Sequence, residues 1–383
     1  MSPRQLNYFS SPPLASCVKA QGPQRASRGR LVALAQYVVI AALAAYIARD
    51  FDLEDFLHAL NLVDPGDILP ILVFEVLYYV SHAAAFWALC RKRFNLTFRE
   101  ALGSSMMAWL VDLLLPSAFV EGDVARFFYL KTKSDWAPSL SYTLFFRLLI
   151  SSTLVFFILF ASLLALKALS FYSSLALIYA AVIVLGSALS LAMGVVVFKP
   201  SVLKNPLLKL LRRAVPSRRL GKLEHDLEEF LAKVQAVAAE FRENAAWLLA
   251  AIAALMLQWV SGIMTPYFSL RAVGVEVDAL SIAPGYTILT LFSLASIGVP
   301  FMLGSVDSAL VTLYLILGVP KERALLATLI GRSVTILVSL AMIYPLGIYY
   351  IRRTFSTDNL EEVRRSLQKI SQEYGVKIPF ISG

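Results

Sequence analysis

Charge is scarce in this chain: 16% of its 383 residues are Asp, Glu, Lys or Arg, against 58% hydrophobic. A soluble domain carries nearer a quarter charged residues, so an ordinary water-soluble fold is excluded. Cysteine is scarcer still. Cys17 and Cys90 are the only two, far apart in sequence, and they make neither a disulfide framework nor a zinc-type spacing. The three histidines, His58, His82 and His225, do not cluster. No metal is expected, and nothing in the sequence calls for a cofactor.

Long apolar runs take up much of the chain. At roughly 17 residues or more they match helices that cross a bilayer, which predicts an all-α polytopic membrane protein. Residues 1–30 are rich in Ser, Pro, Arg and Gln without an apolar core, and read as a disordered tail. A first membrane half follows at 31–198, a basic amphipathic linker at 199–244, a second membrane half at 245–351 and a closing tail at 352–383. The linker holds ten Lys or Arg, with Leu223, Leu227, Phe230, Leu231, Val234 and Phe241 at helical spacing. That is the pattern of a helix on the membrane surface or packed beneath the bundle. Its stretch KLLRRAVPSRRLGK, residues 209–222, lacks an aromatic stacking platform. It suits anionic lipid heads and not nucleic acid.

Lys and Arg collect on the cytoplasmic side of inner-membrane proteins. Arg25, Arg28 and Arg30 precede the first span, Arg91, Lys92 and Arg93 close the second, and Arg352 and Arg353 follow the last. Residues 50–67 hold six acids and no Lys or Arg, as an external loop does. Both termini are therefore expected in the cytoplasm. Two apolar stretches, 102–130 and 280–318, complicate the count. If each crossed once, the basic segments would lie on opposite sides; if each enters and returns, all stay inside. The prediction is about six full spans plus two re-entrant helical hairpins. Backbone of that kind is tolerated at membrane depth only when buried in protein or facing a water-filled cavity.

The two stretches share an order of rare features. Residues 113–130 read LLLPSAFVEGDVARFFYL, with Arg147 lying 31 residues after Pro116. The second half has Pro300, Gly304 and Asp307, with Arg332 lying 32 residues after Pro300. Thr143 and Thr328 each sit four residues before their arginine, and the preceding spans share YYVS and LQWVS. Entry from opposite sides would make the halves inverted repeats, an arrangement that places a substrate site near the midplane at broken helices.

The run Asp112, Pro116, Glu121-Gly122-Asp123, Arg126 and Arg147, followed by Pro300, Gly304, Asp307 and Arg332, resembles the flippase-like membrane region of the lysylphosphatidylglycerol synthetase family. The resemblance covers roughly residues 31–352. It departs from the family pattern at Asp112, where Asn is usual, and at Asp307, where Glu is usual. It implies a multi-pass protein of a prokaryotic plasma membrane. The 32 residues beyond Ile351 hold no aminoacyl-transferase domain, so transport without synthase activity is the expectation.

A charge at membrane depth costs a few kcal/mol or more. Arg147 and Arg332, deep in long spans, suit bidentate contact with a lipid phosphate; the plainer reading makes them staples paired with Asp123 and Asp307. Arg126 joins them as a head-group candidate, with Asp112, Glu121, Asp123 and Asp307 as gating or charge partners. Pro116, Gly122, Pro300 and Gly304 are the helix breaks. Glu75, Tyr78, Tyr79 and His82 form a stripe in which Glu75 and His82 are a candidate proton relay, or a hydrogen-bonded packing face.

The main expectation is a flippase-like transporter that moves an anionic phospholipid or a polyprenyl-phosphate-linked lipid between leaflets. One rival is an integral membrane glycosyltransferase using Asp50, Asp52, Glu54 and Asp55. The other is a non-catalytic partner of an envelope-lipid or glycan-synthesis enzyme, docked through the 222–243 helix.

Overall fold

A computed structural model describes residues 63–114, 121–165, 244–283 and 304–355, with scattered single positions between them. The expected first span, most of residues 166–198, Pro116, Pro300, most of the 199–244 linker and the tail beyond 355 lie outside the described residues. So do Asp50, Asp52 and Asp55. Every element in the four described segments is helical. Among the described residues, four helices are long and apolar enough to cross a membrane: Pro65–Phe94, Trp136–Leu164, Ala245–Ala272 and Lys321–Thr354.

The first long helix, α1 (Ile68–Phe94), follows a 3-10 turn at Pro65–Asp67 whose Gly66 N–H donates to the Asp64 carboxylate at 2.8 Å. It stops at Asn95, which adopts a left-handed φ of 47°. Arg91, Lys92 and Arg93 occupy its last turn, where the helix dipole favours cations. Helix α2 (Phe98–Leu114) opens on a reciprocal cap: the Thr97 N–H donates to Glu100 at 2.9 Å and the Glu100 N–H to the Thr97 hydroxyl at 3.3 Å.

Next come α3 (Glu121–Lys131), α4 (Trp136–Ala165), α5 (Ala245–Ala272), the short α6 (Ala279–Ile282) and α7 (Ser305–Ile316). With 11 and 12 residues, α3 and α7 fall well short of the about 20 that a span needs. Helix α8 (Lys321–Val338) runs through a π turn at Ser339–Ile343 into α9 (Tyr344–Thr354). Pro345 accounts for that turn. It has no N–H for a regular helical bond, and just before it the Tyr344 N–H reaches back five residues to the Ser339 carbonyl.

Helices α1 and α5 form the axis of the bundle and run antiparallel. Going down α1, contacts on α5 move up: the Asp64 N–H donates to the Ala272 carbonyl at 3.0 Å, and Phe74 stacks on Phe268 at 5.6 Å. His82 meets Gln258, and Lys92 donates to Asn244 at 2.7 Å. On one side, Phe86, Leu130, Phe146 and Leu255 make a buried cluster joining α1, α3, α4 and α5. On the other, Leu270, Leu313, Tyr314 and Leu326 join α5, α7 and α8. Each end of the axis thus carries one short helix and one long helix, and polar side chains collect between the two clusters.

Candidate functional site

Arg126 anchors the first polar group. Lying only 3% exposed on α3, it donates to Asp123 at 2.6 Å, one turn earlier on the same helix. Its guanidinium sits over the rings of Phe86 and Phe146, 5.2 and 5.0 Å from their centroids, where cation–π attraction adds to the ion pair. A second nitrogen donates to Nε2 of His82 at 3.0 Å. Guanidinium has donors only, so Nε2 is the bare ring nitrogen and Nδ1 carries the hydrogen. That hydrogen is directed at Oε1 of Gln258, 3.2 Å away on α5. A polar chain therefore crosses from one half of the molecule to the other.

Arg147 of α4 reaches the free oxygen of Asp123 at 3.5 Å with its side chain 40% exposed. One carboxylate thus serves two arginines, one buried and tightly held, the other loosely held and open. Asp112 lies next door and accepts from the Gly122 N–H at 2.8 Å, tying the end of α2 to the start of α3. Glycine is required at that junction. A Cβ on Gly122 would stand 2.3 Å from an Asp112 oxygen and 2.7 Å from the Ala108 carbonyl. Glu121 opens α3, but its side chain lies outside the described residues.

The second half repeats the device. Gly304, at φ 81°, caps α7, and its N–H donates to Asp307 at 2.8 Å. The other Asp307 oxygen stands 3.1 Å from Nε of Arg332 on α8. In both halves a glycine N–H at the head of a short helix is capped by an acid, and an acid inside that helix meets an arginine on the next long one. Thr143 and Thr328 match as well, each donating at 2.8 Å to the carbonyl four residues before it.

Arg332 lines a cavity of about 170 Å³ among α1, α5, α7 and α8, together with Glu75, Tyr78, Thr265, Ser269 and Thr328. Glu75 is 8% exposed, and the Thr265 hydroxyl donates to it at 3.4 Å. The side chains of Thr335 and Tyr79 and the charge of Arg332 also act on it. Most of the wall is apolar, including Val306 and Leu310. Pro266 lies inside α5 at the same wall and has no N–H to offer the Gly262 carbonyl four residues back.

The candidate residues therefore divide. Arg126, Arg147, Asp112, Asp123 and His82 belong to one group, while Glu75, Arg332 and Asp307 belong to the other. Glu75 and His82, seven residues apart on α1, have different contacts: Thr265 for the first, Arg126 and Gln258 for the second. Sequence reasoning missed Gln258, Thr265 and Thr335. A Gln inside an apolar span, and a Thr-Pro pair inside another stretch of it, were the available signals. Among the described residues no group of His, Cys, Asp and Glu is arranged to hold a metal ion.

The family model described as the lysylphosphatidylglycerol synthase TM region matches residues 33–342. No curated protein matches the chain.

Proposed function

Since the chain belongs to the lysylphosphatidylglycerol synthase TM-region family, and so is an integral membrane protein related to lipid modification or transport, we propose that it moves a phosphate-bearing lipid between leaflets. The substrate would be an anionic phospholipid or a polyprenyl-phosphate-linked lipid. The observation that carries this reading is Arg332: a guanidinium lining a mostly apolar cavity between helices of both halves. Ligand pockets for whole small molecules usually run about 300–1,000 Å³. A cavity of about 170 Å³ therefore fits a head-group phosphate whose tails stay in the bilayer.

Around that cavity the halves act as inverted repeats. Antiparallel α1 and α5 are the equivalent spans, and the short α3 and α7 are the returning arms of two re-entrant hairpins, in a bundle of about six full spans. Asp307 and Asp123 hold the two arginines until a phosphate competes for them. Rocking of one half against the other exposes the cavity to each leaflet in turn. Membrane lipids are the partners this reading requires. It places the protein in a prokaryotic plasma membrane with both termini inside.

The test is lipid movement in reconstituted vesicles, read by bleaching of fluorescently labelled anionic lipid from outside. A charge-assisted hydrogen bond contributes about 1.5–3 kcal/mol, so Arg332→Ala is expected to slow movement by about ten- to a hundredfold. Unchanged rates in both Arg332→Ala and Arg147→Ala would remove the reading.

A further inference from the structure

The polar groups of the cavity are mostly acceptors. The Ser269, Thr328 and Thr335 hydroxyls donate to carbonyls four residues before them, at 2.8, 2.8 and 3.1 Å. Thr265 divides its hydrogen between the Ser261 carbonyl and Glu75, at 3.4 Å each. With those hydrogens turned into the helices, the oxygens have lone pairs left for the cavity. Pro266 leaves the Gly262 carbonyl without its usual helical donor. Arg332, the one cationic group on the wall among the described residues, stands 3.1 Å from Asp307, and its charge also acts on Glu75. Glu75 and Asp307 thus share one guanidinium, which leaves one of the two carboxylate charges unbalanced among the described residues.

A buried ionised carboxylate is costly unless a positive charge offsets it. Hard oxygen ligands with a single carboxylate suit a compact ion of charge one; divalent ions usually gather more carboxylates. Interrupted helices with free carbonyls are also where transporters hold coupling ions. We propose that Glu75, with Thr265, Thr335 and the Gly262 carbonyl, forms a binding site for a small inorganic monovalent cation, sodium being the probe. The site lies in the cavity that Arg332 lines, so ion and lipid phosphate would occupy neighbouring positions. This proposal does not depend on the lipid reading.

The experiment uses the full-length protein in detergent without added lipid substrate, following its melting temperature at constant ionic strength. Sodium chloride is titrated against N-methyl-D-glucamine chloride at two pH values. The wild type is expected to show a saturable upward shift with sodium that Glu75→Gln loses. In Thr335→Val the shift should survive but need about tenfold more sodium, the loss of one oxygen ligand. An equal response to both salts, a sodium shift kept in Glu75→Gln, or a melting temperature that follows pH alone would overturn the proposal. If Glu75→Gln does not fold, Thr335→Val decides: an unchanged sodium midpoint refutes the site. A sodium response together with unaltered lipid movement in both Arg332→Ala and Arg147→Ala would leave the ion site standing and remove the lipid reading.

Discussion

Changing Gly122 to Ala sets two effects against each other. Helix propensity favours Ala over Gly by about 1 kcal/mol in a helix interior, and Gly122 lies in α3. Packing opposes it, because the new Cβ would fall 2.3 Å from an Asp112 carboxylate oxygen and 2.7 Å from the Ala108 carbonyl. The second obstacle is backbone, so the end of α2 and the start of α3 must separate. Overpacking of this kind costs about 1–3 kcal/mol. Separation also stretches the 2.8 Å bond from the Gly122 N–H to Asp112, and a hydrogen bond to a charged group contributes about 1.5–3 kcal/mol. After the propensity gain, a net loss of about 2–4 kcal/mol is expected. Thermal melting in detergent, with Val124→Ala at an exposed α3 position as the comparison, measures it. Adding Asp112→Ala should recover part of the loss, since one of the two obstacles is gone. A Gly122→Ala protein as stable as wild type would refute the close-approach argument.

The two arginines that share Asp123 should behave differently. Arg126→Met removes the buried partner of His82 and leaves Asp123 only the looser Arg147, at about 3 kcal/mol or more. Arg147→Met, at an open side chain 3.5 Å from the same acid, should change stability by less than about 1 kcal/mol; denaturation midpoints of the two variants check the order. Gln258→Leu removes the acceptor of His82 and should cost about 1–3 kcal/mol, measurable in the same assay, whereas its isostere Glu should lose less. Glu100, at the polar start of α2, feels burial pushing its carboxyl up, but hydrogen bonds from Lys133 and Thr97 outweigh this and bring it from 4.5 down to about 2. A depressed carboxyl stabilises above its unfolded value and loses that contribution as pH falls through the folded one. The wild type should therefore lose stability relative to Glu100→Gln between about pH 4.5 and 2, and parallel midpoints across that window would show that the pairing does not matter.

The acid–arginine pairs were legible in the sequence because charge is so rare in the apolar stretches. A Gly, an acid and a later Arg in the same order twice over leave few ways to satisfy those charges. Long helices were legible for the same reason. Assignment of the neighbours was not. Glu75 and His82 share one face of α1 by spacing, and α5 meets both, yet α8 approaches one end of that stripe and α3 the other, so the two side chains meet different partners. Helical period reports which residues share a face and says nothing of what packs there. Gln258 illustrates this: it looks like one polar residue in an apolar span until the antiparallel register of α1 and α5 places it against His82. The π turn before Pro345 was likewise invisible in a pattern that reads as one continuous apolar helix.

The arrangement of the two halves is the claim on which the account rests, and labelling from each side of the membrane tests it most directly. Single cysteines are placed by Ala118→Cys and Met302→Cys in a Cys17→Ser, Cys90→Ser background and probed with an impermeant reagent. The account predicts that position 118 reacts only from the cytoplasm and position 302 only from outside. Reaction of either from the opposite face would mean that its hairpin crosses the membrane, which contradicts the inverted repeat and the shared cavity built on it.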